Sequence, residues 1–262
     1  YFFFVNNLWL SLLATMEILA FVLASLMISA GSAVDYCNKE LCPTGRHIAC
    51  NNFGVSIERL KNIEGFATHR HNYYRNLIAS GSLPGYEPAA RMATMIWDDE
   101  LAKMAEFNLK TCIFDHDECY HTPRFRNAGQ CLAGLYYYKA DRRNMTELLE
   151  QAVGGWFSEH VNADMSYIMN FRIDSNFLDY GHFTEFVVDR NTHVGCAAIQ
   201  FTERKYKDFF RVNVACNYAS VYSGEFPVYE PGYPASKCKT GRNPKYPALC
   251  SLREKINPNY YY

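Results

Sequence analysis

Ten cysteines follow a long apolar stretch in this chain, and that pairing limits its folds and its compartment more than any other feature. From Leu8 to Ala30 nearly every residue is apolar, broken by Ser11, Thr15, Glu17, Ser25 and Ser29. About 20 apolar residues suffice for a membrane span, so an anchor is one reading. The other starts at Met16: Ile18–Ile28 forms a short apolar core, and the small residues Ser29-Ala30-Gly31-Ser32-Ala33 follow it. That order is the pattern of a secretory signal cleaved after Ala33, although Glu17 stands where a base is usual. The expectation is therefore a leader over residues 1–33, export, and no membrane anchor after cleavage. All ten cysteines lie beyond Ala33, and no Cys-x-x-Cys pair occurs among them. An even count in an exported chain implies a disulfide framework rather than metal clusters.

The mature chain divides into a Cys-rich extension (34–57), a main domain (58–224) and a Pro- and Cys-containing tail (225–262). The periodicity of Leu60, Ile63, Ala67, Tyr74 and Leu77-Ile78 predicts a helix over Ser56–Ala79, ended by Gly81-Ser82-Leu83-Pro84-Gly85. A second helix starts at Asp98 as N-cap, with Leu101, Met104-Ala105 and Leu109 on one face. Cys112–Cys131 reads as irregular. A third helix is expected over about Thr146–His160, with Leu149, Ala152-Val153 and Trp156 forming its stripe. Asn144 before it is both a glycosylation sequon and a candidate N-cap, with Glu147 three residues on.

Strands are expected at His182–Val188, Val194–Phe201 and Phe209–Asn217, where β-branched and aromatic residues alternate. A hairpin centred near Tyr206 pairs residues whose numbers sum to 412, and Cys196 with Cys216 satisfy that sum. Directly opposed cysteines on antiparallel strands can bridge. In the tail, a Cys238–Cys250 bridge would close a short loop. Helices followed by a run of strands describe an α+β domain. With 26 basic residues against 27 acidic ones, there is no field for nucleic acid, and 16% aromatic content excludes disorder. No phosphate loop, Gly-x-Ser-x-Gly elbow or His-Glu-x-x-His helix occurs.

Five short motifs then line up. Gly181-His182-Phe183-Thr184-Glu185 resembles the Gly-His-Phe/Tyr-Thr-Gln signature of the CAP superfamily, which holds cysteine-rich secretory proteins, insect venom antigen 5 and plant pathogenesis-related proteins. Val214-Ala215-Cys216-Asn217-Tyr218 is similar to its second signature, and His71-Asn72-x-x-Arg75, Ala128-Gly129-Gln130 and Trp97-Asp98-x-x-Leu101-Ala102 resemble three further motifs. The spacing of Cys37, Cys42 and Cys50 resembles the antigen 5 branch. The resemblance implies a three-layer α-β-α sandwich with a central cleft of two histidines and two acids, where several members bind a divalent metal. His116 and His182 match the histidines and Glu159 matches one acid, while Gln130 occupies the other acid's place. The resemblance also implies Cys37–Cys50 and Cys42–Cys119 bridges. The antigen 5 partner of Cys112 is missing and Cys131 is extra, so a Cys112–Cys131 bridge is expected.

Three functions follow from the resemblance. The first is a non-enzymatic extracellular binder, and potential allergen, that takes a small lipid or amine or a host protein. The second is a zinc-dependent hydrolase using His116, His182 and Glu159, and the third a scaffold without specific ligand. With one acid replaced by Gln130, the expectation is a monomeric binder that requires no cofactor.

Overall fold

A computed structural model describes residues 63–260, except Cys112, Cys119, Arg142, 203–205, Ser223 and Glu225. The proposed leader, the Cys-rich extension and the Cys37–Cys50 and Cys42–Cys119 bridges lie outside the described residues.

In chain order the elements are α1 (Ile63–Ala79), β1 (Ile96–Trp97), α2 (Asp99–Leu109), β2 (Gly129–Tyr138), α3 (Met145–Ser158), α4 (Met165–Met169), α5 (Gly181–Phe186), β3 (His193–Phe201) and β4 (Phe209–Tyr218). Their ends follow local chemistry. Gly81, at φ +76°, closes α1: its N–H donates to Ile78 O and that of Ser82 to Leu77 O, the paired bonds of a Schellman cap. The Asp98 carboxylate accepts from the N–H groups of Glu100 and Leu101, both at 3.0 Å, and starts α2. Asn144 Oδ1 accepts from Glu147 N at 2.9 Å and starts α3. Both caps are the ones the sequence suggests.

The sheet runs in the order β1-β3-β4-β2, with β1 parallel to β3 and the other pairs antiparallel. The β3–β4 register places Val194 opposite Tyr218 and Cys196 opposite Cys216, the pairing expected from the sum of 412. Both the Cys196–Cys216 and Cys238–Cys250 bridges are present. On one face α2 covers the sheet, with Ala105 and Leu109 packed on Leu132, Ile199 and Ala215. On the other lie α1, α3 and α5, whose buried side chains share the main core with Val194, Val212 and Val214. The result is the three-layer α-β-α sandwich. Rings of Tyr74 on α1 and Phe157 on α3 stack with centroids 4.5 Å apart, and Trp156 Nε1 donates to Leu132 O at 3.1 Å, tying α3 to β2. The apolar stripes of α1 and α3 therefore face core.

Three expectations are corrected. Gly181–Phe186 forms a short helix where a strand was expected over His182–Val188. Its Phe183 and Phe186 are enclosed on all sides, so a continuous apolar run satisfies burial without strand pairing. Gly129–Tyr138, most of which carried no assigned element, forms the edge strand β2. Cys131 is not bridged to Cys112: it carries a buried free thiol. Its side chain points into the α1/α5 layer, whereas α2, which precedes Cys112 in the chain, packs on the opposite face of the sheet.

Close approach of α2 to the sheet depends on Gly195. A Cβ there would lie 2.1 Å from Ala102 N and 2.5 Å from Asp98 O, both backbone atoms that cannot rotate away. Gly195→Ala is expected to cost about 3 kcal/mol in a denaturant titration, through forced separation of α2 from β3.

Candidate functional site

The His-Asn-x-x-Arg motif on α1 is structural. Asn72 brackets Met95, donating to its carbonyl at 2.8 Å and accepting from its N–H at 2.9 Å. Arg75 is fully buried and donates to the carbonyls of Ala93, Phe186, Val188, Asp189 and Asn191, with distances from 2.8 to 3.4 Å. It binds α1 to two loops that also meet each other directly, where the Ala93 N–H donates to Asp189 O at 2.8 Å. Burial lowers its pKa to about 9, against the raising influence of Asp189. His71 Nδ1 donates to Ala67 O at 2.7 Å, and its Nε2 meets the Tyr218 hydroxyl at 2.9 Å.

The four cleft residues form two hydrogen-bonded pairs. His182, on α5, donates from Nδ1 to Glu159 Oε1 at 2.6 Å, and the N–H of Phe183 donates to Glu159 Oε2 at 3.1 Å. Glu159 sits at the C-terminal end of α3, held toward the start of α5 by these two bonds. His116, in the exposed segment after α2, donates from Nδ1 to Gln130 Oε1 at 2.9 Å. Gln130, on β2, is locked at both ends: Oε1 also accepts from Asp117 N at 3.3 Å, and Nε2 donates to Asp117 Oδ2 at 3.0 Å and Asn217 Oδ1 at 3.1 Å.

Asp117 was not singled out in the sequence, although it adjoins His116. Burial pushes its carboxyl up to about 6, with the hydrogen bonds from Gln130 and Asn108 acting against that rise. It supplies an acid beside Gln130, turned toward the amide rather than toward His116.

These atoms suit a divalent cation in one respect. Each imidazole is oriented through Nδ1 by an oxygen acceptor, and its Nε2 has no hydrogen-bond partner among the described residues; metal-ligating histidines are oriented in this way. They fall short in another: the group of three His, Cys or acidic ligand atoms within 4.8 Å of one another found among the described residues is His71, Cys196 and Cys216, and it includes none of the cleft residues. Glu159 serves as an orienting partner for His182, not as a third ligand beside it.

The sandwich, the paired signature residues and the bridged hairpin define a fold class, and residues 68–218 match the family model described as the cysteine-rich secretory protein family, CAP. The chain belongs to that family. It is 37% identical over 268 residues to Venom allergen-1 of Aedes aegypti, covering 95% of this chain and 99% of that protein. It is 36% identical over 207 residues to the Antigen 5 like allergen Cul n 1 of Culicoides nubeculosus, covering 72% and 93%. Its fold matches the crystal structure of NaASP2 with Zn2+ at a TM-score of 0.58 and 24% identity, over 76% of this chain and 100% of that one. It is thus an insect antigen 5-like member.

Asn144 keeps its capping role with Oδ1, while Nδ2 donates to Glu147 Oε1 at 2.9 Å. Among the described residues no helix is long and apolar enough to cross a membrane.

Proposed function

We propose that the protein is a secreted, non-enzymatic binder that takes a small apolar acid outside the cell. One observation carries this reading. A cavity of about 760 Å³ lies between the loop after α5 and the tail, with Phe226, Pro227 and Ile256 as apolar walls. Four cations, Arg91, Arg190, Lys237 and Lys239, border it against two acids, Asp189 and Glu230. Ligand sites of this size combine an apolar lining with a few charged groups that fix one end of the ligand. Arg91 is paired with Glu254, Arg190 with Asp189 and Lys237 with Glu230, so the border keeps a surplus of one positive charge, which favours an anionic head over an amine. The tail wall is firmly docked: Glu254 holds Arg91 at 2.7 Å and accepts from the backbone of Lys239 and Thr240, and these bonds keep its carboxyl at about 2 despite burial. Relatives named Venom allergen-1, and Tabinhibitin 3 of Tabanus yao at 31% identity, support an exported protein with a role outside the cell.

Calorimetry with oleate as probe tests the reading. Saturable binding is expected, weakened at least tenfold by Phe226→Asp, which places a negative charge among the apolar walls. No binding to the unaltered protein would remove the proposal.

The free Nε2 atoms of His116 and His182 favour a second, weaker reading, a divalent-cation site. Zinc there would act as a Lewis acid; His116 and His182 would hold it, with Gln130 and Glu159 orienting them. Zinc calorimetry on the purified protein is expected to give only weak affinity, abolished in His182→Ala. Equal zinc uptake by the variant would eliminate this reading.

A further inference from the structure

Three cysteines share one rung of the sheet. Cys131 on β2 stands opposite Cys216 on β4, and Cys216 stands opposite Cys196 on β3. Opposed side chains point to the same face, and all three belong to the core beneath α1 and α5. Hydrogen-bond parity gives their spacing. Ala219 N–H donates to His193 O, so bonded pairs alternate from 193·219 and the 196·216 pair is a non-bonded one, with Cα atoms 4.1 Å apart. On the other side Lys139 N–H donates to Asp208 O, and counting by twos along the register makes Cys131·Cys216 a hydrogen-bonded pair. Such pairs have Cα atoms about 5.5 Å apart, inside the usual span of a disulfide. Cys216 can therefore bridge to either neighbour, and it is bridged to Cys196.

A buried hydroxyl stands beside the spare thiol. The Tyr218 hydroxyl meets His71 Nε2 at 2.9 Å and lies close enough to the Cys131 sulfur to stabilise its thiolate. Because His71 Nδ1 donates to Ala67 O, its Nε2 accepts from Tyr218; toward Cys131 the same hydroxyl is a donor to the thiolate, and so acts to lower that thiol's pKa. The same imidazole lies within 4.8 Å of both bridged sulfurs.

We propose that this rung is an internal thiol–disulfide exchange site, in which Cys131 takes over Cys216 and releases Cys196. Hydroxide takes the Cys131 proton, and the Tyr218 hydroxyl turns from His71 to donate to the resulting thiolate. The Cys131 thiolate, after rotation about its Cα–Cβ bond, attacks Cys216 Sγ; the Cys131–Cys216 bond forms as the Cys196–Cys216 bond breaks. Cys196 leaves as thiolate and takes up a proton from water, which restores the hydroxide consumed. One disulfide and one thiol are present before and after, so no oxidant or reductant is consumed. The covalent staple moves from the β3–β4 hairpin to the β4–β2 edge.

The resting state is guarded. Burial raises the Cys131 thiol well above its ordinary value, and the charges of Glu185 on α5 and Glu159 after α3 add to this against the Tyr218 hydrogen bond. Burial, with Arg75 on the same helix acting in the same direction, lowers His71 to about 4, against the hydrogen bond to Ala67. Both partners stay neutral, so exchange is slow at pH 7 and accelerates as alkali frees the thiolate.

Disulfide mapping tests the rung on the full secreted chain. Protein is acid-quenched, unfolded, alkylated with N-ethylmaleimide and digested without reduction. In Cys196→Ser the expected product is a Cys131–Cys216 linked peptide; both thiols alkylated in a folded variant would overturn the proposal. Unaltered protein serves if that variant does not fold. The fraction alkylated at Cys196 is expected to rise at least tenfold between incubation at pH 7 and at pH 9, and to be absent in Cys131→Ser. Alkylation at Cys131 alone at both pH values would also overturn it.

Discussion

Replacing Glu185 with Gln is expected to flatten the alkaline decline in stability. Glu185 is fully buried on α5 against β2; a Cβ on Gly129 would lie 2.1 Å from its Oε1. Its carboxyl is pushed up to about 8 by burial, with Arg190, Asn191, the Tyr222 backbone and Arg75 acting against that rise. One oxygen, Oε2, is buried without a hydrogen-bond partner. An acid whose pKa is raised on folding contributes stability below its unfolded value that is lost as pH rises through the folded value. The decline attributable to Glu185 therefore runs from pH 4.5 to about pH 8. At 1.4 kcal/mol per unit, about 4 kcal/mol is lost between pH 5 and pH 8. The neutral, nearly isosteric amide removes that dependence. Urea titrations of both proteins at pH 5, 6, 7 and 8 are expected to diverge progressively in favour of Glu185→Gln. Parallel curves would show that Glu185 does not titrate in this interval. Asp117 and Asp189, each raised to about 6 by burial, remain in both proteins and cancel in the comparison.

Arg75→Ala is expected to abolish folding. The change leaves the carbonyls of Ala93, Phe186 and Asn191 without their donor, while those of Val188 and Asp189 keep the N–H groups of Asn191 and Ala93, and it empties the largest fully buried side chain. Each orphaned buried acceptor costs about 1–3 kcal/mol and the emptied volume adds about 2–5 kcal/mol, so the total reaches the margin of an ordinary domain. Arg75→Lys is expected to lose at least about 3 kcal/mol, because an ammonium cannot fork between the loops at Ala93 and Phe186–Asn191. Secreted yield and urea midpoint measure both; a variant within 1 kcal/mol of the unaltered protein would contradict the assigned role.

The fold was legible where local chemistry decides it. Asp98 and Asn144 announce their helices, because a short oxygen-bearing side chain ahead of an apolar periodic run has one favourable use. The β3–β4 register was readable because Cys196 and Cys216 satisfy the same pairing sum as the alternation around Tyr206. Misreadings fell where distant contacts decide. Phe183–Val188 has strand-like composition, yet Glu159, reaching Phe183 N and His182 from the end of α3, fixes the start of a helix there. Strand β2 was obscured by Gly129 and Gly134, whose need is set by Glu185 and Phe114 packed against them.

In the site, motif resemblance named His116, Gln130, Glu159 and His182, and the geometry pairs them as His116–Gln130 and His182–Glu159. That pairing spans 14 and 23 residues respectively, and no local periodicity encodes it. The free state of Cys131 was equally invisible. Counting cysteines favours an even set of bridges, whereas the direction of a strand residue relative to α2 decides which partners can be reached.

The central claim, an exported binder whose cavity takes an apolar acid, is tested most directly by native mass spectrometry of the protein collected from the medium of secreting cells. The account predicts a population heavier than the covalent mass by a fatty-acid-sized ligand, released on gentle collisional activation and much reduced in Phe226→Asp. Only the bare covalent mass, unchanged after adding oleate, would contradict it.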